Sequence, residues 1–294
     1  MSAVAVNSAD SHPAGSSTAG SSTAGSSSTG SSSTGSPPVG LNPGSFDLAG
    51  TPGIPLWRVV SVELRKLVDT RAGCWLLIAI GVITAAVIVV VYLTAEKDSR
   101  TFVTFVQATA APQGFLLPVL GILLMTSEWT QRTALVSFTL VPGRGRVLLA
   151  KTIAAVIAGL LALVVAIAIA AVATLVSGAP AAWKGFGATE LGKLALLQEI
   201  GVLQGLAFGL LFLNSAAAIV TYFVLPNVFT IVAALWKALA DARPWIDLNA
   251  SQSGLFDGSA MGGRQWLQLA SGVAIWVLLP YVTGFWRVLR AEVK

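Results

Sequence analysis

The chain has 294 residues, of which 55% are hydrophobic and only 11% are charged, and its mean hydropathy is +0.79. Soluble domains carry about 25% charged residues, so the composition excludes a protein that has only water as its solvent. The net charge of +5 does not indicate nucleic-acid binding, because the basic residues flank apolar segments. One cysteine and one histidine exclude an intramolecular disulfide, and they predict that the chain holds no metal.

Residues 1–54 are predicted to form a disordered tail. Between Gly15 and Ser36 a five-residue repeat of Gly, Ser, Thr and Ala contains no charge and no large apolar side chain. Such a segment cannot bury enough surface to fold. It also lacks the apolar centre of a secretory signal, so the first membrane helix is the predicted insertion signal.

The segment that follows the tail is both amphipathic and basic. Pro55 suits the first turn of a helix. A helix from there would carry Arg58 and Arg65 on its polar face, which suits the surface of an anionic leaflet. The sequence therefore predicts an interfacial helix. Its predicted apolar stripe consists of Leu56, Trp57, Val60, Leu64, Leu67 and Val68.

Six segments of residues 55–294 are apolar and long enough to cross a bilayer, for which about 20 residues are needed. The second contains Pro112 and Pro118, which predict a kinked or broken helix. The apolar stretch before Lys237 is about two spans long, and we divide it at Asn214 and Ser215. A polar loop with short interfacial helices is predicted before the last span. The predicted spans are residues 74–95, 104–126, 152–176, 194–213, 215–236 and 266–286.

The Lys and Arg residues predict the orientation. With six spans, eleven of them fall on the side of the N-terminus and seven on the other side. Cytoplasmic segments carry the excess, so both termini are predicted to lie in the cytoplasm, as in a bacterial inner-membrane protein. Five spans would place Arg287, Arg290 and Lys294 outside, against this bias.

The connection between spans two and three has a distinctive pattern. Thr126 and Ser127 can cap a helix, Glu128 suits its first turn and can pair with Arg132, and Pro142 ends it. This predicts a short cytoplasmic helix parallel to the membrane. Basic residues predicted to anchor the chain at this face are Arg58, Arg65, Lys66, Arg144, Arg146 and Lys151.

This pattern resembles the permease subunits of type-2 ABC exporters. It reads Glu-x-x-x-Arg-Thr from Glu128, then an apolar helix, then Pro-x-Arg-x-Arg-x-x-x-Ala-Lys ending at Lys151. Before the first span, Glu63-Leu-Arg-Lys-Leu67 resembles the family's elbow helix. The resemblance covers residues 56–294. It implies an all-α membrane protein with six spans, an elbow helix and a coupling helix that an ATPase subunit contacts. The implied coupling residues are Glu128, Trp129, Arg132, Thr133, Val136 and Phe138.

Polar groups inside the spans are candidates for a translocation path, because each costs free energy in lipid. These candidates are Gln107, Glu199, Gln204 and Asn214. For Glu199, a position close enough to the interface to reach water is the favoured interpretation. In the fourth span, Gly201, Gly205 and Gly209 predict close helix packing, either within this chain or with a second copy.

Three functional hypotheses follow. The favoured one is an exporter permease that is not itself an enzyme and binds no cofactor. MgATP would then be held by a separate ATPase subunit, and a second permease copy or paralogue would complete the transporter. The alternatives are an ion-coupled secondary transporter, for which charged sites at the bilayer centre are largely lacking, and a non-transporting assembly or immunity subunit. Neither the substrate nor the role of the tail can be read from the sequence.

Overall fold

The computed structural model describes residues 54–131, 143–179, 182–185, 187–236, 239, 241–256 and 260–290. Helices are the only regular secondary structure in these ranges. The predicted tail, apart from Ile54, lies outside the described residues. So does most of the predicted coupling helix.

Among the described residues, six helices are long and apolar enough to cross a membrane, with lengths from 21 to 34 residues. The predicted number of spans is therefore confirmed, and the chain is a multi-pass helical membrane protein. A shorter helix, α1, precedes them at Leu56–Asp69. The six are α2 (Arg71–Thr94), α3 (Phe102–Thr130), α4 (Arg144–Ser177), α5 (Ala188–Phe212), α6 (Ser215–Leu235) and, after three short helices described below, α10 (Gly263–Arg290).

The break between α5 and α6 lies where the sequence predicted it. Leu213 adopts the left-handed conformation with a φ of 54°, which ends α5. Asn214 is extended, and its side chain accepts a hydrogen bond from the backbone N–H of Ala217 at the start of α6. In contrast, α3 continues without interruption past Pro112 and Pro118, so the break suggested by these prolines is absent.

The most extensive helix contact among the described residues is made between α3 and α5, and it depends on small residues. A Cβ atom added to Gly205 would overlap the carbonyl oxygen of Pro118 in α3. One added to Gly209 would lie 3.2 Å from the Cα of Ile122, and one added to Gly201 would lie 3.5 Å from Pro118 Cγ. The predicted glycine face therefore packs within this chain.

Helix α1 packs against α2 and α4, and we call this end of the bundle the α1 end. Its buried face is formed by Val59, Val60, Glu63 and Leu67. Two residues of the predicted apolar stripe, Trp57 and Val68, are instead exposed by 66% and 59%. The inner face is centred on a carboxylate, Glu63, which apolar periodicity does not count. Contact of the exposed apolar residues with lipid stays a prediction.

Three one-turn helices close part of the opposite end. They are α7 (Arg243–Ile246), α8 (Leu248–Ser251) and α9 (Ser253–Phe256). The buried carboxylate of Asp247 connects them to α6, because it accepts hydrogen bonds from Thr230 Oγ1 at 3.0 Å and Arg243 Nε at 3.2 Å. Short helices are thus present in the predicted polar loop, and they have buried apolar residues such as Leu248 and Leu255.

Candidate functional site

Four charged side chains from α1, α3 and α4 meet at the α1 end, and we call them the charge cluster: Glu63, Lys66, Glu128 and Lys151. Lys151 Nζ lies 2.7 Å from Glu63 Oε2 and 3.3 Å from Glu128 Oε1. Lys66 Nζ lies 2.6 Å from Glu63 Oε1 and 3.2 Å from Glu128 Oε1. Two acids and two bases alternate, so the cluster carries no formal net charge.

Lys151 is the innermost member of the cluster. Its side chain is 0% exposed, and its ammonium also donates to the carbonyl of Leu124 at 3.0 Å and to Ser127 Oγ at 3.2 Å. A charge that is removed from water is tolerated only with such partners. Lys151 therefore connects α4 to α1 and α3, and its side chain does not reach the molecular surface.

Lys66 is the outer member, with a side chain that is 38% exposed. Partial burial by itself would lower the pKa of Lys66. Hydrogen bonds and charge attraction from Glu63 and Glu128 outweigh that effect, so the pKa of Lys66 is raised above its ordinary value. This lysine is therefore paired within the cluster, and its contact with lipid stays a prediction.

Glu128 was predicted to begin a new helix, but it lies in the last turn of α3 and is only 2% exposed. Thr126 and Ser127 do not cap a helix either, because their hydroxyls donate to the carbonyls of Ile122 and Leu124. Since α3 continues to Thr130, Glu128 faces α1 and α4. Its Oε2 atom is buried without a hydrogen-bond partner among the described residues.

The remaining predicted coupling residues fall into two groups. Trp129 is half-buried and packs against the apolar core at the α1 end. Outside the described residues lie Arg132, Thr133, Val136 and Phe138, so the predicted pair between Glu128 and Arg132 is untested.

The other predicted anchors lie closer to the surface. Arg58, Arg65 and Arg146 are exposed. Arg144 is half-buried, and its Nη1 donates to the carbonyl of Val288 near the end of α10, at 3.2 Å. Their contact with lipid stays a prediction.

A cavity of about 540 Å³ lies between α3 and α5, nearer the opposite end, and we call it the α3–α5 cavity. Of the polar residues predicted for a translocation path, Gln107 and Gln204 line it. Gln198 also lines it, and its Nε2 donates to the carbonyl of Gly159 in α4 at 2.6 Å. Next to the cavity is a pocket of about 240 Å³ that shares Gln107 and reaches Glu190 and Lys193.

The other two predicted path residues point elsewhere. Glu199 directs its carboxylate at α4, against Gly159, and neither of its buried oxygens has a hydrogen-bond partner within the described part of the chain. Asn214 caps α6. Neither residue lines the cavity, because a helix turns about 100° per residue and Glu199 therefore faces away from the stripe that holds Gln204. A role of Glu199 and Asn214 in a translocation path stays a prediction.

Sequence reasoning did not single out Glu63 as a site residue. A signal was available, since Glu63 lies three or four positions from Val59, Val60 and Leu67 and so shares their helix face. A carboxylate in the middle of an apolar stripe is stabilised by a buried cation, which here is Lys151.

Two comparisons with known proteins bear on the family. No known family model matches this chain. A search of curated proteins found no similar sequence.

Proposed function

We propose that this chain is the membrane-spanning permease subunit of an ABC-type exporter in a bacterial cytoplasmic membrane. Six helices suited to span a membrane and the sequence pattern from Glu128 to Lys151 support this proposal. The chain itself hydrolyses no ATP. A separate ATPase subunit holds MgATP, and a second permease copy or paralogue completes the transporter.

The observation that carries the proposal is the charge cluster. It joins α1 and α4 to the last turn of α3, immediately before the segment that resembles a coupling helix. Buried ion pairs hold a fixed geometry, because breaking one exposes an uncompensated charge at high cost. A force applied to residues 132–142 would therefore move three helices together.

The distribution of charge supports the orientation. The side that carries the α1 end has eleven of the Lys and Arg residues in a six-span topology, so we place this end and both termini in the cytoplasm. Exposed Trp57, Arg58 and Arg65 suit an α1 that lies in the interface as an elbow helix.

Site-specific cross-linking tests the proposal. In a Cys74→Ala background, Gln131→Cys places a thiol at an exposed position after α3, and Ser99→Cys places a matched thiol at the opposite end. Co-expressed with a candidate ABC ATPase from the same genome, Gln131→Cys should cross-link to the ATPase, and Thr133→Cys should do so as well. Ser99→Cys should give no product.

The same preparations give a second measurement. The purified chain should show no magnesium-dependent ATP hydrolysis, and the complex should show it. If none of the ATPases of the genome co-purifies with the chain or cross-links through Gln131→Cys and Thr133→Cys, the proposal is overturned.

A further inference from the structure

The walls of the α3–α5 cavity are two facing helical stripes. On α5 the lining residues are Leu194, Leu197, Gln198, Gly201 and Gln204, which follow one another at intervals of one or three residues. They extend over about 15 Å of helix. On α3 the stripe runs from Gln107 to Phe115, and Asn249, Gln252 and Phe256 of the short-helix region also line the cavity.

Gln204 is the feature that points to a ligand. It is only 5% exposed, it lines the cavity, and its Nε2 atom is buried without a hydrogen-bond partner among the described residues. A buried donor without an acceptor destabilises the fold. Another buried glutamine of the bundle, Gln113, does have an acceptor, the carbonyl of Ala162 at 3.3 Å. The arrangement at Gln204 suits an acceptor atom that arrives with a bound molecule.

The rest of the lining defines the chemistry of that molecule. No Asp, Glu, Lys or Arg is among the residues that line this cavity in the described part of the chain, so a charged ligand would have no counter-ion there. Aromatic rings supply apolar surface: Phe115 stacks on Phe223 with ring centroids 5.7 Å apart, and Tyr222 lies edge-on to Phe223 at 4.9 Å.

We propose that the α3–α5 cavity binds an uncharged amphipathic molecule with a carbonyl or ether oxygen. That oxygen accepts a hydrogen bond from Gln204 Nε2, and the apolar part lies against Phe115 and Tyr222. A volume of about 540 Å³ is within the usual range of small-molecule sites. The inference rests on the proposed function only in making this molecule a transported substrate; the binding itself requires no ATPase.

Photolabelling of the full chain in lipid nanodiscs tests the site. The probe is octyl 4-benzoylbenzoate, an uncharged ester, and its competitors carry a carboxylate or a trimethylammonium group at the end of the octyl chain. Labelled peptides should contain residues of the two stripes, and the charged counterparts should compete at least about tenfold more weakly, because each would bury an unpaired charge.

Three variants make the test specific. Gln204→Met keeps the shape but removes the donor, so probe affinity should fall about tenfold. Ala110→Phe fills space in both the cavity and the adjoining pocket and should abolish labelling even if Gln204→Met does not fold. Gln268→Met, a matched change in α10 away from the cavity, should label like the wild type.

Labelling outside the stripes, equal competition by the charged probes, or unchanged labelling of both Gln204→Met and Ala110→Phe would overturn the inference. Because the partner ATPase is absent from this assay, its failure is distinct from failure of the cross-linking to the ATPase.

Discussion

The charge cluster and the α3–α5 cavity both remove polar groups from water, but they do so in opposite ways. In the cluster, Lys151 has a side chain that is 0% exposed and is held by two carboxylates, a hydroxyl and a carbonyl. Among the described residues, no charged side chain lines the cavity, and the donor of Gln204 has no acceptor. The first arrangement fixes three helices relative to one another. The second leaves a hydrogen-bond donor for which a bound molecule can supply the acceptor.

If the charge cluster holds the three helices together, removing its central cation, Lys151, should lower the free energy of unfolding more than any other change considered below. Lys151→Met leaves Glu63 and Glu128 buried without their inner partner. It should therefore lower the free energy of unfolding by about 3–5 kcal/mol. Thermal unfolding of the purified protein in detergent measures this loss.

A matched control is Lys97→Met, which changes an exposed lysine at the opposite end. Its melting temperature should be close to that of the wild type. The further variant Lys151→Met with Glu63→Leu and Glu128→Leu removes the stranded carboxylates and should recover much of the loss. A Lys151→Met protein as stable as the wild type would show that the cluster does not hold the helices together.

The length and apolar composition of six segments predicted the six long helices, because crossing a bilayer requires both and a sequence displays them directly. The end of α5 was also predictable, since Asn214 is a good helix cap. Neither feature depends on which helices become neighbours.

The cluster was beyond such reasoning. Glu63 and Lys151 are separated by 88 positions, and only the packing of α1 against α4 brings them together. Glu128 was misplaced for a related reason: Thr126 and Ser127 suit a helix start, but both also donate to carbonyls within a continuing helix. Gln107 and Gln204 could be identified as polar residues in spans. The sequence could not separate Gln204 from Glu199 as a cavity residue, because that choice depends on which face of α5 meets α3.

Two buried glutamines, Gln113 and Gln204, test the same comparison. Substituting either one should change the free energy of unfolding by less than Lys151→Met does. Gln113→Met loses a hydrogen bond to α4 and should cost about 1 kcal/mol of unfolding free energy. Gln204→Met removes a donor that has no acceptor in the described residues, so it should be neutral or slightly stabilising. Melting temperatures of the two variants, measured without added ligand, give the comparison. A larger loss for Gln204→Met than for Gln113→Met would mean that its amide serves the fold and is not reserved for binding.

The smallest expected effect concerns Lys66, the solvent-facing edge of the cluster. Its pKa is raised in the folded protein above the ordinary value of 10.5. A raised pKa means that the folded state holds the proton more tightly than the unfolded state does. The resulting stabilisation is complete below about pH 10.5, and it is lost as the pH rises through the folded pKa. Solvent screening keeps it small, because the side chain is 38% exposed.

Lys66→Arg isolates this contribution, since arginine keeps its charge throughout the accessible range. The difference in melting temperature between the wild type and Lys66→Arg should be constant from pH 8 to 10. At higher pH the melting temperature of the wild type should fall relative to that of Lys66→Arg, because the lysine loses its proton and Glu63 and Glu128 lose a partner. Titration of other groups affects both proteins alike and cancels in the difference. A difference that stays constant through the alkaline range would show that Lys66 adds nothing to the cluster, and that Lys151 alone compensates the two carboxylates.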